Sequence, residues 1–265
     1  VAVEANQLAL SLGRLAAGDA AGCERLREGS ADEAPAVQTL QAMIERHVAH
    51  LAAYQNPAWA ERYLRTVQAA RERESALNAD PGLPFTRAVA TSLHRLMSYK
   101  DEYEVARLYS DAEFQRSLSE QFEGAFTLEF HMAPPLLARP KNGEPPAKMR
   151  FGPWLLPALR WLARGRVLRG RAFDPFGRTE ERRIERELIG AFESRVTELL
   201  PQLAPKSMPL ATLIAQVPMS VRGFGHVKLG NLVLARTRDA ELLHRLDAAR
   251  YPAPARPNAP ATAGQ

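Results

Sequence analysis

A short segment that leads into the last predicted helix carries the side chains best suited to binding an anion. Arg222, His226 and Lys228 supply two cationic groups and one titratable imidazole. Gly223 and Gly225 permit unusual backbone torsions, and the N-terminus of the following helix offers free N–H groups. This combination suits a carboxylate or a phosphate. The alternative is a tight loop whose Arg and Lys side chains pair with neighbouring carboxylates.

A second candidate is His131, which lies on the polar side of a predicted strand, two residues from Glu129. The imidazole and the carboxylate could work as an acid–base pair, because histidine titrates near neutral pH. The alternative is a plain surface or domain-contact pair. We expect no catalytic residue in this chain.

Other polar and aromatic patterns predict structural roles. Tyr99, Tyr103 and Tyr109 are spaced to form an aromatic, hydrogen-bonded seam with nearby charged side chains. His47 and His50 are three residues apart on a predicted helix, and His47 lies on its apolar face. Because no third ligand is evident, we predict packed histidines and no metal site.

The first third of the chain is predicted to be helical, beginning with its opening residues. Apolar residues recur at steps of three and four from Val37 to Tyr54, which is the spacing of one helix face. Asn56 and Pro57 supply an N-cap and a first-turn proline for the next helix. A third long helix is expected from about Thr86. Short joins between consecutive helices predict an antiparallel helical layer.

The middle of the chain predicts a small β-hairpin followed by further helices. Apolar and polar residues alternate over residues 126–132, which is the period of a strand with one buried face. Residues 148–151 are the expected return strand, after a turn at Asn142 and Gly143. Thr179 is a predicted N-cap. The later helices are expected over residues 154–164, 180–200 and 229–249.

The expected fold is therefore mainly α with a small β-hairpin, an α+β arrangement in which an antiparallel helical layer precedes a mixed region. We predict three parts. They are a helical region over residues 1–110, an α+β region with a basic middle over residues 111–250, and a disordered Pro- and Ala-rich tail over residues 251–265.

The amino-acid composition limits the cellular compartment and the kinds of partner expected for this chain. Hydrophobic residues make up 46% of the chain and charged residues 25%, as in soluble globular proteins. Cys23 is the only cysteine, which excludes a disulfide framework and a cysteine-ligated iron–sulfur cluster and favours a reducing, cytoplasmic location. No apolar run approaches the roughly 18 residues of a membrane span, so we expect no membrane contact.

The net charge of +5 is concentrated in the middle of the chain. Residues 139–186 hold thirteen Lys and Arg against five Asp and Glu. Such an excess suits a phosphate-bearing ligand, an acidic protein or a nucleic acid, and the alternative is a solvated surface.

Taken in order, several segments resemble blocks near the end of the fused bacterial indolepyruvate ferredoxin oxidoreductases. Residues 3–6 with 13–15 also resemble the segment that follows the gamma-type domain of that family. The likeness extends to about residue 250 and predicts that this chain is the C-terminal piece of a longer enzyme. The blocks are residues 99–109, 121–124, 130–136, 151–154, 174–180 and 221–228.

The resemblance implies a parent that oxidatively decarboxylates aryl 2-oxo acids to acyl-CoA and reduces ferredoxin. Such parents use thiamine diphosphate, a divalent metal such as Mg²⁺ and iron–sulfur clusters. This chain has neither the Gly-Asp-Gly motif for the metal and the diphosphate nor a cysteine cluster, so we expect no cofactor here. The partners implied are the upstream domains, ferredoxin, CoA and a second copy of the parent.

Two other functions remain open from the sequence. One is a freestanding module that binds an acidic protein or a nucleic acid through the arginines from Arg160 to Arg171 together with Arg182, Arg183 and Arg186. Nucleic acid is disfavoured, because few aromatic residues beyond Trp161 and Phe173 are interleaved with the arginines. The other is a hydrolase or transferase built on His131 and His226.

Overall fold

A computed structural model describes most of the chain, in two compact units, Val1–Met43 and Ile44–Gln265. Cys23, the predicted turn near residue 142 and the predicted tail beyond residue 253 lie outside the described residues. The described residues are 3–19, 39–77, 80–122, 124, 126–133, 147–223 and 225–253.

The described residues form ten α-helices and one two-stranded antiparallel sheet, which confirms the predicted mainly α fold with a small β-hairpin. Three short 3-10 helices cover residues 165–168, 200–202 and 217–220. Within this part of the chain, none of the helices combines the length and apolar character needed to cross a bilayer. The predicted division at residue 110 stays a prediction. The elements are α1 (Val3–Gly18), α2 (Leu40–Tyr54), α3 (Pro57–Ser75), α4 (Pro84–Met97), α5 (Glu102–Ser110), α6 (Ala112–Gln121), β1 (Phe130–Met132), β2 (Met149–Phe151), α7 (Leu155–Arg164), α8 (Glu180–Leu199), α9 (Met208–Gln216) and α10 (Gly225–Leu246).

Side-chain caps begin several of these helices, as the sequence predicts. The Asn56 side chain accepts from the N–H of Trp59 at 2.9 Å, with Pro57 in the first turn of α3. Thr179 accepts from the N–H of Arg182 at the start of α8. Each cap satisfies an N–H group that has no partner within the helix.

Helix α4 lies at the centre of the packing in the second unit. Phe85, Val89, Leu93 and Met97 are fully buried along it, and it packs against α3, α8 and α9. The spacing of these residues places them on one face of the helix.

A buried carboxylate ties α3 to the beginning of α4. Glu74 is 1% exposed, and it accepts from the backbone N–H groups of Phe85 and Thr86 and from the Thr86 hydroxyl, at 2.6–2.9 Å. Although this end of α3 is a polar run in the sequence, the Glu74 carboxylate is buried and satisfies the free N–H groups at the start of α4.

The hairpin is shorter than predicted. Phe130 pairs with Phe151 and His131 with Arg150, but residues 126–129 form no strand. Phe126 is exposed, so the alternating pattern does not extend to a buried face there. Both paired phenylalanines pack with Ala106 and Leu159, which places the hairpin against α5 and α7.

The last helix also differs from its predicted span. α10 begins at Gly225 and ends at Leu246, whereas the sequence predicted residues 229–249. The segment predicted to bind an anion therefore includes the first turn of α10 itself. No helix was predicted at α9.

Candidate functional site

A buried guanidinium group joins segments that are far apart in the sequence. The Arg169 side chain is 3% exposed, and it donates through Nε and Nη2 to both carboxylate oxygens of Asp101, at 2.6 and 2.8 Å. Asp101 also caps α5, because its Oδ1 accepts from the N–H of Glu104 at 2.8 Å. Two parallel hydrogen bonds fix both the position and the angle of the pair.

Arg169 also contacts the end of α2. Its Nη1 donates to the carbonyl of Tyr54 at 2.6 Å, and its guanidinium carbon lies 3.7 Å from the centre of the Tyr54 ring. The Tyr54 hydroxyl donates to the carbonyl of Tyr99, and burial raises its pKa. Burial opposes the charge of Arg169, but hydrogen bonding to Asp101 and the electrostatic interactions with Tyr54 and Asp101 together outweigh it and raise the pKa of Arg169.

Asp174 organises the turn that follows Arg169. Its carboxylate accepts from the Tyr103 hydroxyl at 3.1 Å and from the N–H groups of Gly170 and Phe176 at 2.8 and 3.1 Å. A Cβ at Gly177 would lie too close to the Asp174 carboxylate, so the turn requires glycine there. Burial, followed by the Asp174 charge, raises the pKa of Tyr103.

Glu185 forms a second branch of paired charges. Arg182 donates to one of its oxygens at 2.7 Å, and the Lys228 ammonium donates to the other. Arg182 also lies 3.5 Å from Glu102, whose pKa is raised by burial. We call the two branches together the ion network. Its members are Asp101, Glu102, Tyr103, Arg169, Asp174, Arg182, Glu185 and Lys228.

The predicted tyrosine seam divides between two places. Tyr99 and Tyr103 lie at the ion network, whereas Tyr109 packs edge-to-face against Phe130 and Phe114. Tyr109 therefore belongs to the hairpin side of the molecule.

The predicted anion-binding residues Arg222 and Lys228 line one cavity of about 340 Å³. Arg95 and Lys100, from the end of α4 and just beyond it, line the same cavity. We call it the cationic cavity. The side chain of His226 lies outside the described part of the chain, although its backbone belongs to the first turn of α10.

His131 lies apart from both the ion network and the cationic cavity. Its side chain is 58% exposed and its Nε2 is 4.0 Å from Glu129, which is also 3.6 Å from Arg150. The structure therefore places His131 beside Glu129, as the sequence suggested, on an open surface.

His47 and His50 join a third histidine, His94 of α4. His47 Nδ1 is 2.9 Å from the Tyr63 hydroxyl, and its ring stacks on that of His94 at 3.8 Å. His50 Nδ1 lies 2.9 Å from His94 Nε2. Desolvation by burial, followed by nearby positive groups, lowers the pKa of His47 to about 4; burial, followed by the other two histidines, lowers that of His94 to about 3.

Glu104 completes this histidine cluster. Its carboxylate lies 3.5 Å from His50 and accepts two hydrogen bonds from Arg107. Burial opposes the charge, but hydrogen bonds from Arg107 and His50 lower the pKa of Glu104 to about 2. One of the His50 and His94 ring nitrogens must donate to the other, so the two rings take complementary donor and acceptor roles. Among the described residues, no three His, Cys, Asp or Glu side chains are arranged to hold a metal ion.

Fold and site together define a mainly α protein whose helices are joined by buried ion pairs. The chain matches a family model described as a family of unknown function, DUF6537, over residues 40–241. Since the match covers more than half of the chain, the protein belongs to that family. No curated protein matches it. No solved structure matches it either.

The sequence did not identify several residues of these sites. Arg95, His94 and Glu185 occupy ordinary helical positions with no motif around them. The available signal was their place at or near the buried face of a predicted helix, where a charged residue needs a partner. That signal does not say which distant residue the partner is.

Proposed function

We propose that this chain is a scaffold region of a larger oxidoreductase that resembles the indolepyruvate ferredoxin oxidoreductases. The observation that supports it is the ion network, because three segments that carry the resemblance meet there. Residues 99–109 and 174–180 meet through Tyr103 and Asp174, and residues 221–228 reach the network through Lys228.

In this proposal the region packs against the cofactor-bearing domains of the parent and supplies no catalytic residue. A single cysteine does not fit an iron–sulfur cluster, so the clusters, thiamine diphosphate and Mg²⁺ would belong to the rest of the parent. A cytoplasmic location, ferredoxin and CoA as partners, and a homo-oligomeric parent go with the proposal. The paired charges of the ion network suit a fixed geometry rather than chemistry.

The test compares the product of the complete natural reading frame with the isolated chain. We expect the longer product to bind thiamine diphosphate and iron–sulfur clusters and to reduce ferredoxin when given an aryl 2-oxo acid and CoA. The isolated chain should do neither. A reading frame that encodes these 265 residues alone, or turnover by the isolated chain, contradicts the proposal.

A histidine control separates this proposal from an enzyme built on this chain. We expect His131→Gln and His226→Gln, each made in the longer product, to leave the rate of ferredoxin reduction unchanged. A large loss of rate with normal folding would favour a hydrolase- or transferase-like site here.

A second candidate function is docking of an acidic protein. Trp161 and Phe173 are 72% and 84% exposed in the basic middle, and the Arg164 guanidinium lies 4.9 Å from the Trp161 ring. Exposed aromatic and Arg side chains are typical of protein-binding surfaces. The same surface could instead bind a nucleic acid, which a salt series with generic RNA or DNA tests. Phosphate contacts predict binding at low salt, and the absence of binding at low salt would exclude a nucleic-acid partner.

A further inference from the structure

The cationic cavity brings together positive groups that have no carboxylate partner. Among the described residues, no carboxylate lies within ion-pair distance of Arg95, Lys100 or Arg222, all of which line this cavity. Arg95 is half-buried, whereas Lys100 and Arg222 are exposed at the mouth of the cavity. By contrast, the neighbouring Arg182 pairs with Glu185. Unpaired like charges that share a cavity attract an anion.

Two of these cations are held close together by a shared acceptor. Arg95 Nη1 and Arg222 Nε both donate to the carbonyl of Met219, at 3.1 and 3.2 Å. Arg95 also donates to the carbonyl of Val221. The carbonyl dipoles offset part of the charge but carry no net charge, so the repulsion between two guanidinium groups remains. A bound anion would relieve that repulsion.

Among the described residues, Glu185 is the one carboxylate that lines the cavity, and it is already paired. Glu185 accepts from Lys228 on one oxygen and from Arg182 on the other. It therefore neutralises little of the charge of Arg95, Lys100 and Arg222. The cavity retains a positive potential, which low-dielectric walls concentrate.

Those walls are apolar. Leu96, Leu188, Pro218 and Val221 line the cavity together with the ring of Tyr99. A volume of about 340 Å³ lies within the range of small-molecule sites, which are mostly apolar with a few placed polar groups. A bare inorganic ion would leave that apolar surface without a contact. The ligand that fits both features has a charged head and an apolar body.

We propose that the cationic cavity binds a small organic anion, with a phosphate or carboxylate head at Arg95, Lys100 and Arg222 and an apolar body against the leucines and Val221. This site does not depend on membership in an oxidoreductase. It extends the anion-binding segment suggested by the sequence, because Arg95 and Lys100 come from a different helix and the loop after it.

Isothermal titration calorimetry on the 265-residue chain tests the site with three probes. Phenyl phosphate and phenylacetate carry the two head groups, and benzyl alcohol is the uncharged control. We expect at least one anion to bind and benzyl alcohol to give no heat of binding. The stronger anion identifies the head group. Added NaCl should weaken binding, because the contacts are ionic.

Variants assign the binding to this cavity. We expect Arg222→Gln and Lys100→Gln each to weaken binding by about ten-fold, since each removes a charge-assisted hydrogen bond. Arg245→Gln and Lys206→Gln are the matched controls, because each removes an Arg or a Lys from an exposed position that does not line the cavity. They should leave the affinity for the anion unchanged. Circular dichroism confirms that each variant is folded. No binding by either anion, or equal affinity in all four variants, overturns the proposal.

Discussion

The ion network and the cationic cavity lie side by side, share Glu185 and Lys228, and differ in how their charges are satisfied. In the network, Arg169 has both oxygens of Asp101, a backbone carbonyl and an aromatic ring as partners. In the cavity, the partners of Arg95 and Arg222 among the described residues are backbone carbonyls and the Met219 sulfur, none of which carries a net charge. Fully satisfied polar groups stabilise one arrangement of helices, whereas unpaired cations beside an apolar wall offer a site.

The largest effect should come from removing the central cation of the network. Arg169→Met leaves Asp101 charged and buried, which we expect to destabilise the protein by about 3–5 kcal/mol. Urea unfolding followed by circular dichroism measures it.

A double variant distinguishes charge from packing at that site. Asp101→Asn keeps an oxygen acceptor for the N–H of Glu104, so Arg169→Met combined with Asp101→Asn should be more stable than Arg169→Met alone. If the double variant is the less stable of the two, the buried charge is not the cause.

The histidine cluster is a third polar region and should weaken as the pH falls. The folded pKa values of about 4 for His47 and 3 for His94 lie below the ordinary 6.5, so the unfolded chain binds more protons. The contribution of these two histidines to the free energy of unfolding is therefore fully present above about pH 6.5. It is lost as the pH falls from about 6.5 towards their folded pKa values. Between about pH 7 and pH 5 we expect a loss of about 2 kcal/mol, allowing for solvent screening.

A single variant tests the assignment to these histidines. Glu104 has a lowered pKa of about 2, compared with an ordinary 4.5. Its contribution is present above about pH 4.5 and is lost only in stronger acid. His94→Gln should therefore reduce the change in the free energy of unfolding with pH above pH 5, as measured by urea unfolding. An unchanged pH dependence would show that other groups cause it.

A smaller effect should follow from crowding the network at its turn. Gly177→Ala places a methyl group against the Asp174 carboxylate and should cost about 1–3 kcal/mol. Gly190→Ala is the matched control, because nothing lies within 4 Å of its added Cβ in α8. It should stabilise the helix by about 0.5–1 kcal/mol. Equal thermal unfolding temperatures for the two variants would contradict the account of Asp174.

The fold was largely predictable because local rules govern most of its elements. The apolar spacing of α4 and the caps at Asn56 and Thr179 mark helices without knowledge of their partners. α9 was missed, since its residues are apolar nearly all round and give no one-sided pattern. The first strand of the hairpin was predicted too long, because the alternation of apolar and polar residues continues to Phe126, which is exposed.

The candidate sites were less predictable because they depend on distant contacts. Arg222 and Lys228 stood out through their glycine-rich segment, but Arg95 reaches them from a residue more than a hundred positions earlier. The pairing of Asp101 with Arg169 likewise spans 68 positions. Periodicity places such residues on a helix face and does not identify the opposing charge.

Urea unfolding of the wild type and of Arg222→Gln, each with and without an excess of whichever anion binds more tightly, phenyl phosphate or phenylacetate, tests the contrast most directly. A ligand that binds only the folded state raises the unfolding midpoint. We predict that the wild-type midpoint rises, that the variant midpoint does not, and that the two agree without ligand. A wild-type midpoint that neither anion moves would contradict the site. A variant markedly less stable than the wild type without ligand would show that Arg222 serves the fold as Arg169 does.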